Sequence, residues 1–578
     1  MKYHTSDNWN KDIDLDGVLY FSHRCEEMLF HYASEKYKVP MFNTRLLLSE
    51  YLLTNKLVNY DNIADNNLDY VYEEFKLSLD NDIAISEGFG RHNVDKLFKK
   101  LGSLSKNNKL QMYKYLQSVM DNFQYYEWCK TALLKYLKMP REKKIIENLT
   151  RSIIPEIISN GYSQEYIFFA LKESFVNNSV DDYSCIDKFF SHFDFSLKEY
   201  NVYIAIDKKG YEIIKQHADK ALNISFDDDG YYERYKIDKN KYIIRFNAIK
   251  SRDIYTAMNT AFNSLSLWTS FFTFLSDKKI GRPQDTGMVR QTDSDICHFC
   301  DVNNRSYNIV NPLEHDDVAK AINHRVPILM ANSRRDFPTI KKVVDLHNTA
   351  ITINDYRSSF LCFWSIMEVI CVRDKEKPKI KQIIDHATSI MKKDYFEDVL
   401  CGLCESVEKC IPSQANDIFS DIEGSPAEKV ASIIFLPEYN EYREKLINSL
   451  SEFPVLRSRI SQLKGMSSNP KKLLEEVERY GQRITWHMYR MYRTRNLIIH
   501  AGESPENLKL LGEHLHSYVD AILHEIFLRM SSMNNLRSIE NALVEASLSY
   551  EIYMELFSKD RFTSEDLKVL VHPHVNSL

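Results

Sequence analysis

The chain has 578 residues, of which 44% are hydrophobic, so it is long enough to bury large cores and to form several domains. Its 75 Lys and Arg residues against 81 Asp and Glu residues give a formal net charge of −6, which excludes a uniformly basic surface and confines any nucleic-acid site to a local patch. Glycine and proline are scarce, with 15 of each, which favours long helices. We find neither the apolar core of a secretory signal nor a membrane-spanning run, so we expect a cytoplasmic protein without membrane contact.

The first half of the chain predicts a helical region followed by a small mixed region. Residues 1–197 repeat apolar side chains at helical spacing, which indicates a helical N-terminal domain. The pattern then predicts a strand, a helix, a hairpin and a long helix, namely Tyr200 to Ile206, Tyr211 to Ala221, Tyr231 to Phe246 and the run from Asp253. Residues 198–276 are therefore predicted to form a small α+β domain, and a ferredoxin-like unit is one arrangement that fits this order.

The second half of the chain begins with a change to polar sequence. Residues 277–335 start with a polar, glycine-containing segment and are predicted to be a linker or a long loop. Helical periodicity then resumes, and residues 536–578 are predicted to form a C-terminal helical extension. The chain as a whole is therefore predicted to be mainly α, with a small α+β domain in its middle.

Two pairs among the ten cysteines have the spacing of metal ligands, Cys297 with Cys300 and Cys401 with Cys404. The pairs lie about 100 residues apart, whereas short zinc modules place their two pairs much closer in sequence. Reduced, partly buried thiols are the expectation for a cytoplasmic chain, and the sequence leaves zinc binding by these pairs open.

Arg495 interrupts an apolar helical stripe near the C-terminal end of the chain. At 100° per residue, Ile484, Met488, Met491 and Ile498 lie within about 40° of a common direction with Arg495. Burying an unpaired charge costs several kcal/mol, so this guanidinium is expected to face a cleft, an interface or an anionic ligand. The alternative is an arginine whose stem packs on the core while its head reaches the solvent.

Asn496 and His500 follow Arg495 and complete a polar group at the helix end. Asn496 and His500 are four positions apart, so the amide is expected to hold the imidazole in one orientation. Arg495 and His500 lie about 140° apart on an ideal helix, so they converge only if the chain bends near Ala501-Gly502 or if a second chain joins the site. Gly502 is predicted to be the left-handed cap of this helix.

The helix that carries this group is locally basic. Five arginines and no acidic residue occur between Arg479 and Gly502. Arg490 and Arg493 point away from the apolar stripe and are predicted to bind RNA phosphates, although solvated arginines would give the same pattern. Tyr492 is predicted to stack on a base, with core packing as the alternative.

The run Arg495-Asn496-Leu-Ile-Ile-His500 resembles the signature of the HEPN superfamily, in which arginine, a polar residue and a histidine follow at this spacing. Upstream, Tyr356 to Ile370 is similar to the opening helix of the ApeA-like HEPN branch, with Trp364 and a glutamate between apolar residues at Glu368. The resemblance covers about 340 to 535, roughly a third of the chain.

This resemblance implies an all-helical domain over residues 336–535 that forms a homodimer, so that two motifs face one cleft. It implies an endoribonuclease of antiviral defence, abortive infection or toxin systems, with Arg495, Asn496 and His500 as catalytic residues. Imidazole titrates near neutral pH and can move the 2′-hydroxyl proton, while a guanidinium can stabilise the phosphorane. Neither a metal ion nor another cofactor is needed. RNA is the expected substrate, with tRNA anticodon loops as one candidate, and a phage-derived trigger is a candidate partner.

The alternative is a catalytically silent HEPN scaffold that binds RNA or a protein partner, and the intact motif argues against it. The N-terminal half has no catalytic signature and is predicted to act as a sensor or regulator. Three histidines of the following helix are interpreted as surface or interface residues without a role: His514, His516 and His524.

Overall fold

The structure is a computed structural model that describes most of the chain. The described residues are 3–30, 42–59, 67–103, 106–121, 123–139, 141–217, 223–226, 241–276, 283–284, 286–301, 323, 326–332, 336–353, 355–467, 469–505, 507–531, 538–559 and 562–572. They are mainly helical and contain one five-stranded sheet in the middle of the chain, which confirms the predicted fold class. None of the described helices is long and apolar enough to cross a membrane.

The chain divides into two compact units that do not follow the predicted order of domains. Residues 1–7, 14–152 and 305–578 form the first unit, and residues 8–13 and 153–304 form the second. The N-terminal helices therefore belong with the C-terminal helices. Periodicity alone places elements along the chain, and it carries no information on which distant helices share a core.

The N-terminal part of the first unit is helical, as predicted. Its helices are α1 Asp16–Phe30, α2 Thr44–Asn59, α3 Asn67–Asn81, α4 Ile83–Ile85, α5 Arg91–Ser103, α6 Lys106–Met120, α7 Gln124–Tyr136 and the first part of α8 Lys143–Ser159. The second unit begins within α8, at residue 153. A π-helical turn, Ser86–Gly90, joins α4 to α5.

The second unit contains four complete helices among its described residues, together with the sheet. Its elements are α9 Gln164–Phe175, α10 Ser184–Ser191, β1 Lys198–Asp207, α11 Lys208–His217, β2 Ile224–Ser225, β3 Lys241–Ser251, α12 Ile254–Ser276, β4 Thr286–Gln291 and β5 Cys297–Asp301. The strands are antiparallel in the order β2-β3-β1-β4-β5. Among the described residues, β1-α11-β2-β3-α12-β4 is the element order of a ferredoxin-like unit, and β5 extends its edge. The part of the predicted hairpin at 231–240 lies outside the described residues.

The prediction that residues 277–335 form a linker is wrong for β4 and β5, which belong to the sheet. Gly287 explains part of this error, because a glycine in a short polar run indicates a loop. In the structure, a Cβ atom at Gly287 would lie 2.5 Å from Met258 Cε and 2.6 Å from the Tyr203 carbonyl oxygen. The glycine is therefore required by the close approach of α12 to the sheet.

The C-terminal part of the first unit is entirely helical among its described residues. Its helices are α13 Val326–Asn332, α14 Phe337–Thr352, α15 Tyr356–Cys371, α16 Lys379–Cys410, α17 Pro412–Phe419, α18 Pro426–Phe435, α19 Asn440–Ser449, α20 Pro454–Ser467, α21 Pro470–Asn496, α22 Leu508–Ser531, α23 Ile539–Glu555 and α24 Ser564–Val571. The long helix α16 packs against α18, α21, α22 and α23, and α24 packs on α18. The predicted C-terminal extension is therefore part of the same helical bundle.

Candidate active site

Helix α21 carries the arginine, asparagine and histidine of the predicted motif at its C-terminal end. The helix begins where the Asn469 side chain accepts a hydrogen bond from the backbone N–H of Lys471, with Pro470 in the first turn. The predicted apolar stripe is buried, since Ile484 and Met488 are both 0% exposed. This burial fixes the rotation of α21 in the bundle and so determines where its polar side chains point.

A π-helical turn, Leu497–Ala501, continues α21 and contains His500. Hydrogen bonds in such a turn run from residue i to residue i+5, so residues five apart lie about one turn apart. The turn therefore reduces the angular separation of about 140° that an ideal helix gives Arg495 and His500. Gly502 ends the turn with a φ of 68°, which confirms the predicted left-handed cap.

The Arg495 side chain lies at the edge of the bundle, where it is 25% exposed. Its Nη1 donates a hydrogen bond of 3.1 Å to Asn496 Oδ1, and its Nη2 lies 3.7 Å from Glu368 Oε1 on α15. Trp364 Nε1 donates to the same Glu368 oxygen at 2.8 Å and holds it in place. Of the five guanidinium N–H groups, only one has a hydrogen-bond acceptor among the described residues, so the others can bind an anion.

Asn496 does not hold the imidazole of His500, contrary to the prediction from their spacing. Asn496 is 7% exposed and its side-chain oxygen accepts from Arg495 instead. Arg495 is the physical reason, because its guanidinium occupies the Asn496 oxygen that the imidazole would otherwise use. His500 is exposed and has no hydrogen bond to any other described residue. Its imidazole is therefore free to approach a substrate.

A further arginine, Arg357 in the first turn of α15, lies beside the segment that follows His500. Its Nε donates a hydrogen bond of 2.8 Å to Ser504 Oγ, and its Nη1 lies 3.4 Å from the carbonyl oxygen of Gly502. The side chain is exposed, and no role was predicted for it. The only indication of a role in the sequence was its position within Tyr356 to Ile370, the upstream segment that carries the family resemblance. With Arg495 and His500 it forms what we call the motif-end patch.

The prediction that Arg490 and Arg493 bind RNA is wrong for this structure, because both side chains are buried. Arg490 and Arg493 have side-chain exposures of only 3% and 6%. Arg490 Nη2 lies 2.8 Å from Glu50 Oε2 and 2.6 Å from Glu74 Oε2, and Arg493 Nη2 lies 2.6 Å from Glu50 Oε1. Helices α2 and α3 thus supply the carboxylates that neutralise α21, and no pattern local to α21 could reveal them.

The two carboxylates of this ion-pair network differ in the direction of their pKa shifts, which is downward for Glu50 and upward for Glu74. Burial alone would raise the pKa of Glu50, but the positive charges of Arg490 and Arg493 outweigh burial and hold the pKa at about 2. Burial raises the pKa of Glu74, and the negative charge of Glu50 adds to this rise, so the charges of Arg490 and Arg493 do not compensate for it. Glu50 is therefore the carboxylate that carries the negative charge between the two arginines.

Tyr492 remains partly exposed, unlike its two arginine neighbours. Its ring centroid lies 6.0 Å from that of Trp364, in a tilted arrangement. Packing on Trp364 therefore uses one side of the ring, and base stacking on the rest of the side chain stays a prediction.

The cysteine pairs show no sign of metal binding among the described residues. Cys297 and Cys300 lie on β5 in the second unit, whereas Cys401 and Cys404 lie on α16 in the first. All ten cysteines are free thiols. Burial raises the pKa values of Cys300 and Cys404 to about 12, which disfavours the thiolate form that binds metals.

Two of the three histidines on α22 are buried within the chain, which corrects their interpretation as surface or interface residues. His514 and His516 are 2% and 1% exposed, whereas His524 is exposed. His514 Nδ1 lies 3.1 Å from His487 Nε2 inside the bundle. His516 contacts His347 and Asp520.

Comparisons with known proteins give no independent identification of the chain. No family model matches it, and neither a curated protein nor a solved structure is similar to it.

Proposed function

We propose that the chain is a metal-independent endoribonuclease of the HEPN type, and that the motif-end patch is its active site. The observation that carries the proposal is the pairing of a partly exposed guanidinium, Arg495, with an exposed imidazole, His500, across a π-turn at one helix end. Glu368 and Asn496 orient the guanidinium of Arg495 and leave most of its N–H groups available to a ligand. The site therefore offers an oriented anion binder and an exposed acid or base at the same helix end.

The chemistry follows from these two groups. The 2′-oxygen of a ribose forms a bond to the adjacent phosphorus while the bond from phosphorus to the 5′-oxygen breaks. One imidazole takes the 2′-hydroxyl proton, and a second acid gives a proton to the leaving 5′-oxygen. Arg495 stabilises the charge that builds up on the phosphorane oxygens. The products carry a 2′,3′-cyclic phosphate and a 5′-hydroxyl group.

A homodimer would supply the second acid, because each chain contributes one motif histidine to the patch. In a two-fold arrangement the same patch of both chains faces itself, so two His500 side chains can share one phosphodiester. Arg357 replaces Arg490 and Arg493 as the residue proposed to hold a neighbouring phosphate, since it is exposed and next to Gly502. Tyr492 is proposed to stack on a base.

The N-terminal half is proposed to regulate this activity in antiviral defence, with a phage-derived molecule as a candidate trigger. Support comes from the contacts that helices α2 and α3 make with α21. Tyr70 stacks on Tyr489 with ring centroids 3.6 Å apart, and Glu50 binds both Arg490 and Arg493. A ligand that displaced α2 or α3 would therefore act on the helix that ends in Arg495 and His500.

The test uses total cellular RNA in buffer with EDTA, incubated with full-length wild-type protein and with the variants Arg495→Ala and His500→Ala. Arg479→Ala is the matched control, since Arg479 lies on the same helix with a side chain 60% exposed. We expect cleavage with cyclic phosphate ends by the wild type and the control only. Equal cleavage by all four proteins would sink the proposal, because it would point to a contaminating nuclease.

If no protein cleaves RNA and His500→Ala binds RNA as the wild type does, the result favours the alternative, a catalytically silent scaffold. Expression of the chain in cells infected by phage then distinguishes a silent scaffold from a nuclease that awaits a trigger. Toxicity that depends on His500 would support the nuclease.

A further inference from the structure

Three metal-binding side chains from two helices converge inside the first unit, in a group we call the HHD cluster: His347 of α14 with His516 and Asp520 of α22. His347 Nε2 lies 2.9 Å from Asp520 Oδ1, and His516 Nε2 lies 3.2 Å from Asp520 Oδ2. The two Nε2 atoms are 3.2 Å apart. Each imidazole therefore directs its Nε2 at the other ring and at Asp520, which contacts one ring with each of its two oxygens.

With an ionised Asp520 carboxylate, hydrogen bonds cannot satisfy all three of these contacts at once. If both imidazoles donate from Nε2 to Asp520, two N–H groups face each other across 3.2 Å. If one Nε2 instead accepts from the other, its lone pair faces the carboxylate oxygen. While the Asp520 carboxylate is ionised, every assignment of the ring protons leaves one contact repulsive. A cation placed among the three side chains would turn all three contacts into attractions.

The distances fit such a cation. Zinc binds imidazole nitrogen and carboxylate oxygen at about 2.0–2.2 Å with tetrahedral geometry, which separates its ligand atoms by about 3.3 Å. The separation of the two Nε2 atoms, 3.2 Å, is close to that value, and so are the distances of 2.9 and 3.2 Å from these nitrogens to the two oxygens of Asp520. Two imidazoles and one carboxylate are also a donor set that suits first-row transition metals.

Packing holds the two rings in place while one side of the cluster remains open. Phe363 of α15 stacks on His516 with ring centroids 4.4 Å apart, and its centroid lies 5.7 Å from that of His347 in a T-shaped arrangement. The His516 side chain is 1% exposed, whereas those of His347 and Asp520 are 22% and 34% exposed. An ion could therefore enter from the solvent and keep water as its fourth ligand.

We propose that His347, His516 and Asp520 bind one divalent transition metal ion, with Zn²⁺ as the ion to test, and that the ion fastens α14 to α22. The site is separate from the proposed ribonuclease chemistry, which uses none of these residues. Phe363 is adjacent in sequence to Trp364, which holds Glu368 beside Arg495. The ion would thus stabilise the helix packing behind the motif-end patch without acting on the substrate.

The experiment titrates Zn²⁺ into chelator-stripped, dialysed full-length protein by calorimetry, and follows Co²⁺ binding by its visible absorption. We expect one ion per chain, a cobalt spectrum of nitrogen and oxygen ligands, and an unfolding temperature that rises with Zn²⁺ concentration. Replacing a residue that only supports a metal ligand typically weakens metal binding by roughly 10–100-fold. His347→Gln and Asp520→Asn each remove a proposed ligand, so each should weaken Zn²⁺ binding by more than this. Both variants change partly exposed side chains, so they should fold.

His524→Gln is the matched control, because His524 lies on the same helix outside the cluster and should leave binding unchanged. The proposal is overturned if the wild type does not bind, if His347→Gln and Asp520→Asn bind as the wild type does, or if His524→Gln loses binding equally. A sulfur-to-cobalt absorption band would assign the ion to cysteines and would overturn it as well. None of these readouts depends on RNA cleavage, so failure here leaves the proposed function untouched.

Discussion

Three arginines within six residues of one helix have different environments, and the difference decides their roles. Arg490 and Arg493 face α2 and α3, where carboxylates neutralise them, whereas Arg495 faces α15 and stays partly exposed. Residues three apart share a helix face, and Arg495 lies about 140° from Arg490. A local count of basic residues is therefore a poor measure of a nucleic-acid surface when distant helices supply acids.

The sharpest test of a single residue is His500→Ala. Loss of a general acid or base typically slows a reaction by about 10²–10⁴-fold, so we expect cleavage to fall at least about 100-fold. Because His500 is exposed and has no hydrogen bond to another described residue, the unfolding temperature should stay unchanged. His524→Ala, at another exposed histidine, should preserve the cleavage rate. A stable His500→Ala protein with full activity would remove His500 from the mechanism.

Helix α21 shows how the end of an element creates a site. Its apolar stripe fixes its rotation, and the π-turn after Asn496 changes the spacing of the side chains that follow. Gly502 then closes the turn in a left-handed conformation, and a Cβ atom added there would meet no other atom within 4 Å. The constraint on Gly502 is therefore one of backbone conformation alone.

Two glycines allow this constraint to be measured. Gly502→Ala should destabilise the protein by about 1–2 kcal/mol, because an L-residue is strained at positive φ. Gly465→Ala, in helix α20 and equally free of neighbours, should stabilise it by about 0.5–1 kcal/mol. Urea unfolding measures both values. Opposite signs are expected, and stabilisation by Gly502→Ala would contradict the left-handed cap.

The contact between α2 and α21 predicts a defined pH dependence. Removing Glu50 leaves Arg490 and Arg493 with less buried counter-charge, so Glu50→Gln should cost about 3–5 kcal/mol of unfolding free energy at pH 7. The pKa of Glu50 is held at about 2, below the ordinary value near 4.3, so its contribution is complete above that ordinary value. It should be lost as the pH falls from about 5 to about 2.

The measurement compares urea midpoints of the wild type and Glu50→Gln at several pH values. The difference between the two proteins should shrink towards acid pH. A constant difference from pH 7 to pH 2 would show that Glu50 does not contribute through its charge. Glu73→Gln is a suitable control, since that carboxylate binds Trp486 on the same helix without a buried arginine.

At the scale of the whole molecule, the N-terminal helices and the proposed nuclease helices form one compact unit. A fragment that began near residue 330 would leave Arg490 and Arg493 without Glu50 and Glu74, and unpaired buried charges cost several kcal/mol. Point variants in the full chain are therefore the sound way to test regulation.

Dimer formation by the motif-end patch predicts interference between chains. A tenfold excess of His500→Ala protein should pair with most wild-type chains, so cleavage per wild-type chain should fall roughly tenfold if both motifs must act together. The same excess of Arg479→Ala protein, whose motif is intact, should cause no loss. Cleavage per wild-type chain that does not change with added His500→Ala protein would mean that each chain acts alone.

Local sequence was sufficient for much of the fold and for part of the site. Spacing of apolar residues predicted the helical regions, strand β1 and the rotation of α21, because burial follows the period of each element. Gly502 was recognisable as a left-handed cap from its place after the last apolar turn. The polar group at the end of α21 was also recognisable in the sequence, whereas the roles of Arg495 and His500 stay a prediction.

Only the tertiary structure decided which of these side chains remain available to a ligand and which are paired inside the helical bundle. Glu50 and Glu74 lie more than 400 residues before the arginines that they neutralise, and His347 lies about 170 residues before His516. The π-turn, the edge strands around Gly287 and the HHD cluster likewise depend on contacts between distant segments. Sequence periodicity fixes the direction in which a side chain leaves its own helix, whereas charge, exposure and metal-binding geometry depend on what the rest of the chain places opposite it.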